Sequence, residues 1–149
     1  MNAMRVGLVF TSLVLVGCGD NDPLAAPVVQ YGMSPCIHCG MIISDERYAA
    51  ATLVQGARGI DALLYDDIGD LLEYEEENPD LDIKRRWVHD HGTHGWIDAD
   101  TAFFVVSKEL HTPMASGMAA FGDRGAAEKM LEEFPGRIVT FENLEWTDD

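Results

Sequence analysis

The chain is poor in basic residues and has no long apolar run after its first residues. Of its 149 residues, 10 are Lys or Arg and 26 are Asp or Glu, so the formal net charge is −16. A chain this acidic is repelled by phosphate groups, which argues against nucleic acid or an anionic membrane surface as a direct partner. No later apolar run approaches the roughly 20 residues of a membrane-spanning helix, so we expect a soluble domain. Hydrophobic residues make up 47%, enough for a packed core.

The N-terminal segment has the pattern of a bacterial secretion signal. Arg5 supplies a positive charge, and residues 6–16 form an apolar run that is too short to span a bilayer. The following "LVGC" resembles a lipobox, in which the cysteine after the cleavage point is lipidated. We therefore predict a lipoprotein signal peptide at residues 1–17 and a lipid anchor on Cys18. A plain signal peptide with an incidental cysteine is the alternative.

Residues 18–33 are predicted to be a tether between this anchor and the domain. "GDNDPLAAP" is polar and rich in turn-forming residues. Gly19 rather than Asp follows the cysteine, which in a diderm bacterium favours retention at the outer membrane. We expect a periplasmic domain anchored there by lipid, with Cys36 and Cys39 as its free thiols in an oxidising compartment.

Strand and helix patterns occur twice in the rest of the chain. Each half has two β-type segments, a capped amphipathic helix and a final β-type segment, and the junctions "LYDDIGD" and "AFGDRGA" are alike. We predict an α+β fold of two tandem ββαβ units packed as one compact body (residues 34–149), with chance similarity of the halves as the alternative. The first unit, at about residues 34–92, has predicted strands at 47–54, 57–65 and 83–90, and its helix is capped by Asp66 or Asp67. The second unit, at 93–149, has predicted strands at 101–107, 117–122 and 137–144, and its helix is capped by Asp123.

The stretch "SPCIHCGMIIS" at residues 34–44 holds two of the three cysteines, and it admits several kinds of chemistry. A redox dithiol needs a strand before the first cysteine and a helix starting at it. Here a tether precedes Cys36, and Ser44 and Asp45 soon break any helix. A thiol-disulfide oxidoreductase that uses Cys36 and Cys39 stays a possible alternative.

Zinc and a structural disulfide are two further readings of the same stretch. A structural zinc site normally takes four nitrogen or sulfur ligands, and the chain has no second CxxC. His38 with one of the later histidines would have to complete such a site. A Cys36–Cys39 disulfide would close a very short loop and would therefore stabilise the fold little. In that reading the chain is a structural lipoprotein without a ligand.

Copper(I) fits the residue types best, because this soft ion prefers thiolate and thioether ligands, sometimes with an imidazole. The stretch supplies two thiols and the thioether of Met41. A second candidate segment, "HTPMASGM", contains Gly and Pro and offers soft ligands away from any predicted helix. Met130, by contrast, lies on the apolar face of the second helix and is assigned to packing. The candidate copper ligands are Cys36, Cys39, Met41, His111, Met114 and Met118.

The histidines of "HDHGTHG" form another candidate motif. An HxHxxH loop can bind Cu(II) or Zn(II), but a solvated loop with incidental histidines is the favoured interpretation of His91 and His94. His89 lies in a predicted strand and is expected to have a structural role.

The motifs taken together resemble the NosL family of copper-binding lipoproteins that accompany nitrous oxide reductase. The resemblance runs in order from Cys36 to Phe141 through "CGMIIS", "LYDDIGDLLEY", "WVHD", "GWIDADTAFFVVS" and "TPMASGMAAFGDRGAAEKMLEEFPGRIVTF". It implies two ββαβ units and a periplasmic Cu(I) metallochaperone without catalysis of its own. The implied partners are nitrous oxide reductase and a membrane-bound ABC-type maturation complex with a periplasmic arm.

Position by position, Cys39 and Met41 match the family's CGM motif and Met114 matches the methionine of its TPM motif. Cys39 and Met114 are the ligands that the resemblance implies most strongly, and Met118 fits the second methionine. Cys36 is a departure, because many members have a single cysteine here. Cys36 can tighten Cu(I) binding, replace another ligand, or form a disulfide with Cys39 that blocks loading.

Overall fold

The computed structural model describes residues 22–145, so the predicted signal peptide and Cys18 lie outside the described residues. The described chain folds into two helices and seven strands, which confirms the predicted α+β fold of two ββαβ units. The first unit contains β1 (Ala50–Gly56), β2 (Gly59–Tyr65), α1 (Ile68–Glu77) and β3 (Ile83–His89), followed by β4 (Trp96–Asp98). The second unit contains β5 (Phe103–Val106), β6 (Met118–Phe121), α2 (Arg124–Glu133) and β7 (Arg137–Thr140).

The two units share one strand order. The sheets are ordered β2-β1-β3-β4 and β6-β5-β7, and all of these strand pairs are antiparallel. The first strand of each unit therefore lies at the centre, with the second and third strands on either side. Residues 50–54 of β1 are all buried, as expected of a central strand covered on both faces. The shared order supports the internal duplication inferred from the sequence.

Both helices begin directly after aspartates that were predicted to cap them. Asp67 rather than Asp66 caps α1, and its side chain accepts a hydrogen bond from the backbone N–H of Gly69. Asp123 caps α2 and accepts from the backbone N–H of Ala126. Met130 packs in the apolar cluster between α2 and the second sheet, as the sequence predicted.

Most strand boundaries differ from prediction by one to four residues, and one strand was not predicted. β1 begins at Ala50 because residues 46–48 form a turn. β4, which adds an edge to the first sheet by pairing with β3, was not predicted. The final strand was predicted to end at residue 144, but β7 ends at Thr140 and a 3₁₀ turn (Phe141–Asn143) follows it.

The second sheet packs on both of its faces. Phe104, Met118 and Ala120 enter the main core with α1 and the first sheet, while the neighbouring Val105 and Ala119 pack towards α2. This alternation follows the period of two along a strand.

Asp90 joins the two sheets. It pairs with Ala120 in an isolated parallel bridge, and its Oδ2 accepts from the backbone N–H of Gly122 at 2.7 Å. The residue after β3 is thus bonded directly to the junction between β6 and α2.

The described part of the expected tether contacts the domain. Trp87 donates its indole N–H to the carbonyl of Leu24 at 3.1 Å, and the backbone N–H of Gly32 donates to the carbonyl of Ile43 at 2.8 Å. Residues 22–33 therefore lie along the first unit. Within residues 22–145, neither helix is long and apolar enough to cross a membrane.

Candidate metal centre

The two cysteines lie in a short hairpin. Pro35 pairs with Ile42, and the backbone N–H of Cys36 donates to the carbonyl of Met41 at 2.7 Å. Gly40 closes the turn with φ of +75°, a conformation that glycine adopts without strain. Residues 37–39 form a turn and no helix starts at the first cysteine, so the arrangement required of a thioredoxin-like dithiol is absent from this hairpin.

The thiols of Cys36 and Cys39 are free and close to each other. Cys36 is only 2% exposed, whereas Cys39 is half-buried. Their Sγ atoms and one carboxylate oxygen of Asp70 all lie within 4.8 Å of one another. The Cys36 thiol donates a hydrogen bond to Oδ2 of Asp70 at 3.1 Å. A single ion could contact both sulfur atoms in this arrangement.

The surroundings of both thiols disfavour their thiolate forms. Burial raises the pKa of Cys36 above its usual value. Burial and the hydrogen bond with Asp70 raise the pKa of Cys39 to about 12. A thiol that binds metal as a thiolate must therefore release its proton on binding. A redox cysteine is activated by a lowered pKa, whereas the pKa values of Cys36 and Cys39 are raised. The thiol surroundings therefore do not favour the oxidoreductase alternative.

A second group of ligand atoms adjoins the thiols. His38, Asp70 and Glu73 each place one ligand atom within 4.8 Å of the others, and Asp70 belongs to both groups. Nε2 of His38 lies 3.2 Å from Oε2 of Glu73, and its Nδ1 lies 3.7 Å from Oε2 of Glu77. The thiol pair is thus bordered on one side by carboxylates of α1.

Asp70 and Glu73 were not predicted to be members of the site. Asp70, Glu73 and Glu77 follow the i, i+3, i+7 spacing of one helix face, which was the available signal. An acidic helix face usually meets solvent, and nothing in the sequence places this face beside the CxxC hairpin.

The predicted thioether ligands occupy different environments. Met41 lies in the thiol hairpin and is 50% exposed. Met114 is half-buried in the loop before β6, and its backbone N–H donates to Oδ2 of Asp67 at 3.0 Å. Asp67 is three residues before Asp70, so the Met114 loop and the thiol pair both contact the first turn of α1.

The other two predicted ligands have contrasting surroundings. Met118 is 2% exposed and packs in the same core cluster as Cys36. His111 is exposed at the start of the Met114 loop.

The three histidines of the HxHxxH motif do not converge. His89 is buried; its Nδ1 lies 3.0 Å from the carbonyl oxygen of His94, to which it donates, and its Nε2 accepts from the hydroxyl of Tyr31 at 2.7 Å. His91 packs against Tyr48, and His94 bonds to Glu46. In the described chain no group of three neighbouring metal-ligand atoms includes any of them. His89 has the structural surroundings that the sequence led us to expect.

The fold and the thiol pair define a small α+β protein that can hold a soft metal ion beside its first helix. The model of the NosL family matches residues 30–148, and the chain belongs to this family.

Two proteins that carry the family name are similar to this chain. It is 29% identical to the copper-binding lipoprotein NosL of Stutzerimonas stutzeri over 164 residues, which cover 97% of this chain and 84% of the relative. Its fold matches the crystal structure of the copper chaperone NosL from Shewanella denitrificans with a TM-score of 0.71 at 21% identity, over 83% of this chain and 97% of that one. Both names describe copper-binding proteins, and neither describes an enzyme.

Proposed function

We propose that this protein is a Cu(I) chaperone with no catalysis of its own. The observation that supports this most is the pair of free Cys36 and Cys39 sulfur atoms within 4.8 Å of each other. Thiolate and thioether ligands are those that Cu(I) prefers. The copper-binding name of the Stutzerimonas relative supports copper as the metal.

The proposed ligands come from both units. Cys39 and Cys36 bind as thiolates, Met41 adds a thioether from the same hairpin, and Met114 adds one from the second unit. Met118 and His111 stay predicted ligands with less support, since Met118 is packed in the core and His111 is exposed.

The exposure of the hairpin suits transfer of the ion to another protein. Ile37, Met41 and Ile42 are 48%, 50% and 47% exposed beside the half-buried Cys39. The soft ligands of a recipient can therefore approach and replace the chaperone's ligands one at a time. The net charge of −16 suits a recipient with a basic docking patch, because complementary charge speeds encounter.

In the cell, we propose that the domain is periplasmic and held at the outer membrane by lipid on Cys18. The recipient of the copper is nitrous oxide reductase, reached through its membrane-bound ABC-type maturation complex. The lipobox-like "LVGC" and the lipoprotein name of the Stutzerimonas relative support the anchor. The family resemblance supports the recipient.

The experiment that tests this function measures the copper content of nitrous oxide reductase. The reductase is purified from a denitrifying strain that lacks its own NosL and carries wild type, Cys39→Ser or Met130→Leu of this protein. We expect wild type and Met130→Leu to restore copper, since Met130 lies on α2 and packs against the second sheet. Cys39→Ser should leave the enzyme copper-poor. Equal copper content with wild type and with an empty vector would overturn the proposal.

A further inference from the structure

Asp67 connects the helix that carries Asp70 with the loop that carries Met114. Its carboxylate is completely buried. Oδ1 accepts from the backbone N–H of Gly69 at 2.8 Å, which is the helix cap. Oδ2 accepts from the hydroxyl of Thr112 at 2.6 Å and from the backbone N–H of Met114 at 3.0 Å. One side chain thus bonds to the first turn of α1, which also carries Asp70 beside the thiols, and to the loop that carries Met114.

The loop itself is tightly wound around Thr112. The carbonyl of Thr112 accepts from the backbone N–H of Ala115 at 3.0 Å, and its Oγ1 accepts from the backbone N–H of Gly117 at 3.3 Å. Ala115 and Gly117 both have positive φ, at 60° and 66°. A loop closed on itself in this way moves as one piece, so its attachment to Asp67 determines where Met114 lies relative to α1.

The second unit contains a natural comparison. Asp123 occupies the same place before α2, but it is exposed, and its Oδ1 accepts from the backbone N–H of Ala126 at 3.0 Å. Capping a helix takes one such hydrogen bond. Capping therefore accounts for Oδ1 of Asp67 but not for the two bonds of its Oδ2.

We propose that Asp67 is a positioning residue that holds Met114 against the Cys36–Cys39 pair and so completes the Cu(I) site between the two units. This inference rests on the proposed Cu(I) function. Asp67 does not bind the ion; it orients the segment that supplies a ligand. Residues that orient metal ligands typically change metal affinity by about 10–100-fold when they are replaced.

The test is a double-mutant cycle on Cu(I) affinity, with Asp67→Asn and Met114→Leu made singly and together. Asparagine keeps one acceptor oxygen but presents an NH₂ group where the second oxygen was, so it cannot serve both Gly69 and Met114. We expect Asp67→Asn to weaken Cu(I) binding about 10-fold or more, and to have no further effect in the Met114→Leu background. X-ray absorption at copper should show the same loss of one sulfur ligand in both single variants.

Asp123→Asn is the matched control, because it changes the equivalent cap without touching the loop. It should leave Cu(I) affinity unchanged. If Asp67→Asn does not fold, Thr112→Val replaces it, since this variant removes one hydrogen bond to Asp67 and keeps the carboxylate. Its smaller loss of affinity should likewise disappear in the Met114→Leu background.

Equal weakening by Asp67→Asn with and without Met114 would overturn the proposal, because Asp67 would then act through the fold in general. Wild-type affinity and sulfur coordination in Asp67→Asn would overturn it as well. Failure of the Cu(I) function itself looks different: wild type and Cys39→Ser would then bind Cu(I) equally weakly.

Discussion

The Cys36 thiol donates a hydrogen bond to Oδ2 of Asp70 at 3.1 Å, and both side chains are buried. The same carboxylate helps burial to raise the pKa of Cys39 to about 12. A negative charge beside a thiol disfavours the thiolate, so replacing it with a neutral group lowers the pKa of the thiol.

We therefore predict that Asp70→Asn lowers the pKa of Cys39. The measurement is the rate of alkylation of Cys39 by iodoacetamide as a function of pH, in the metal-free Cys36→Ser background with and without Asp70→Asn. The variant should react faster at pH 8. An unchanged or slower rate would mean that Asp70 does not oppose ionisation of the thiol.

Asp90 should make the stability of the fold depend on pH. Burial raises the pKa of Asp90. Hydrogen bonds from the backbone N–H groups of Gly122, Thr93 and Gly92 lower it by more than burial raises it, so the pKa lies below its usual value. A group with a lowered pKa in the folded state stabilises the fold above its unfolded pKa of about 4, and this contribution is lost as the pH falls through the folded value.

Asp90→Asn should accordingly lower the free energy of unfolding by about 1–3 kcal/mol at pH 7. The difference from wild type should shrink as the pH falls from about 5 to about 2. Urea unfolding at a series of pH values measures this, with Asp80→Asn, an exposed position, as the control. A difference that stays constant across the range would contradict the account of Asp90.

Gly117 should be required for the shape of the Met114 loop. A Cβ atom at this position would lie 2.3 Å from the carbonyl oxygen of Ser107, and its φ is +66°. Gly32 also has a positive φ, +77°, but a Cβ atom there would have nothing within 4 Å. Substitution of Gly32 therefore measures the cost of the backbone conformation without the cost of a clash.

We predict that Gly117→Ala lowers the free energy of unfolding by more than Gly32→Ala, for which strain alone costs about 1–2 kcal/mol. Thermal unfolding of the two variants beside wild type measures the difference. Equal destabilisation would show that the loop relaxes around the added methyl group without cost.

Local signals predicted much of the fold. The aspartates before each helix and the apolar faces of α1 and α2 predicted both helices, because capping and amphipathic spacing depend on neighbouring residues. β4 was missed because Trp96–Asp98 is short and follows a Gly-rich loop, so it forms only by pairing with β3. The last strand was predicted too long, since "FENL" continues the β-type pattern while the chain turns.

The sequence pointed to the two thiols of the candidate site, but not to their surroundings. Cys36 and Cys39 are identical by residue type, and only the packing of the hairpin makes one of them buried. The roles of Asp67 and Asp70 depend on contacts 45 and 34 residues away in the chain, with Thr112 and Cys36, and no local pattern encodes them.

Binding of Cu(I) by the thiol pair can be measured by an anaerobic titration of the reduced domain against a competing Cu(I) chelator. Wild type should compete for the ion, and Cys39→Ser and Cys36→Ser should each bind at least about 10-fold more weakly, with Met130→Leu unchanged. Equal affinity of wild type and both serine variants would contradict the account.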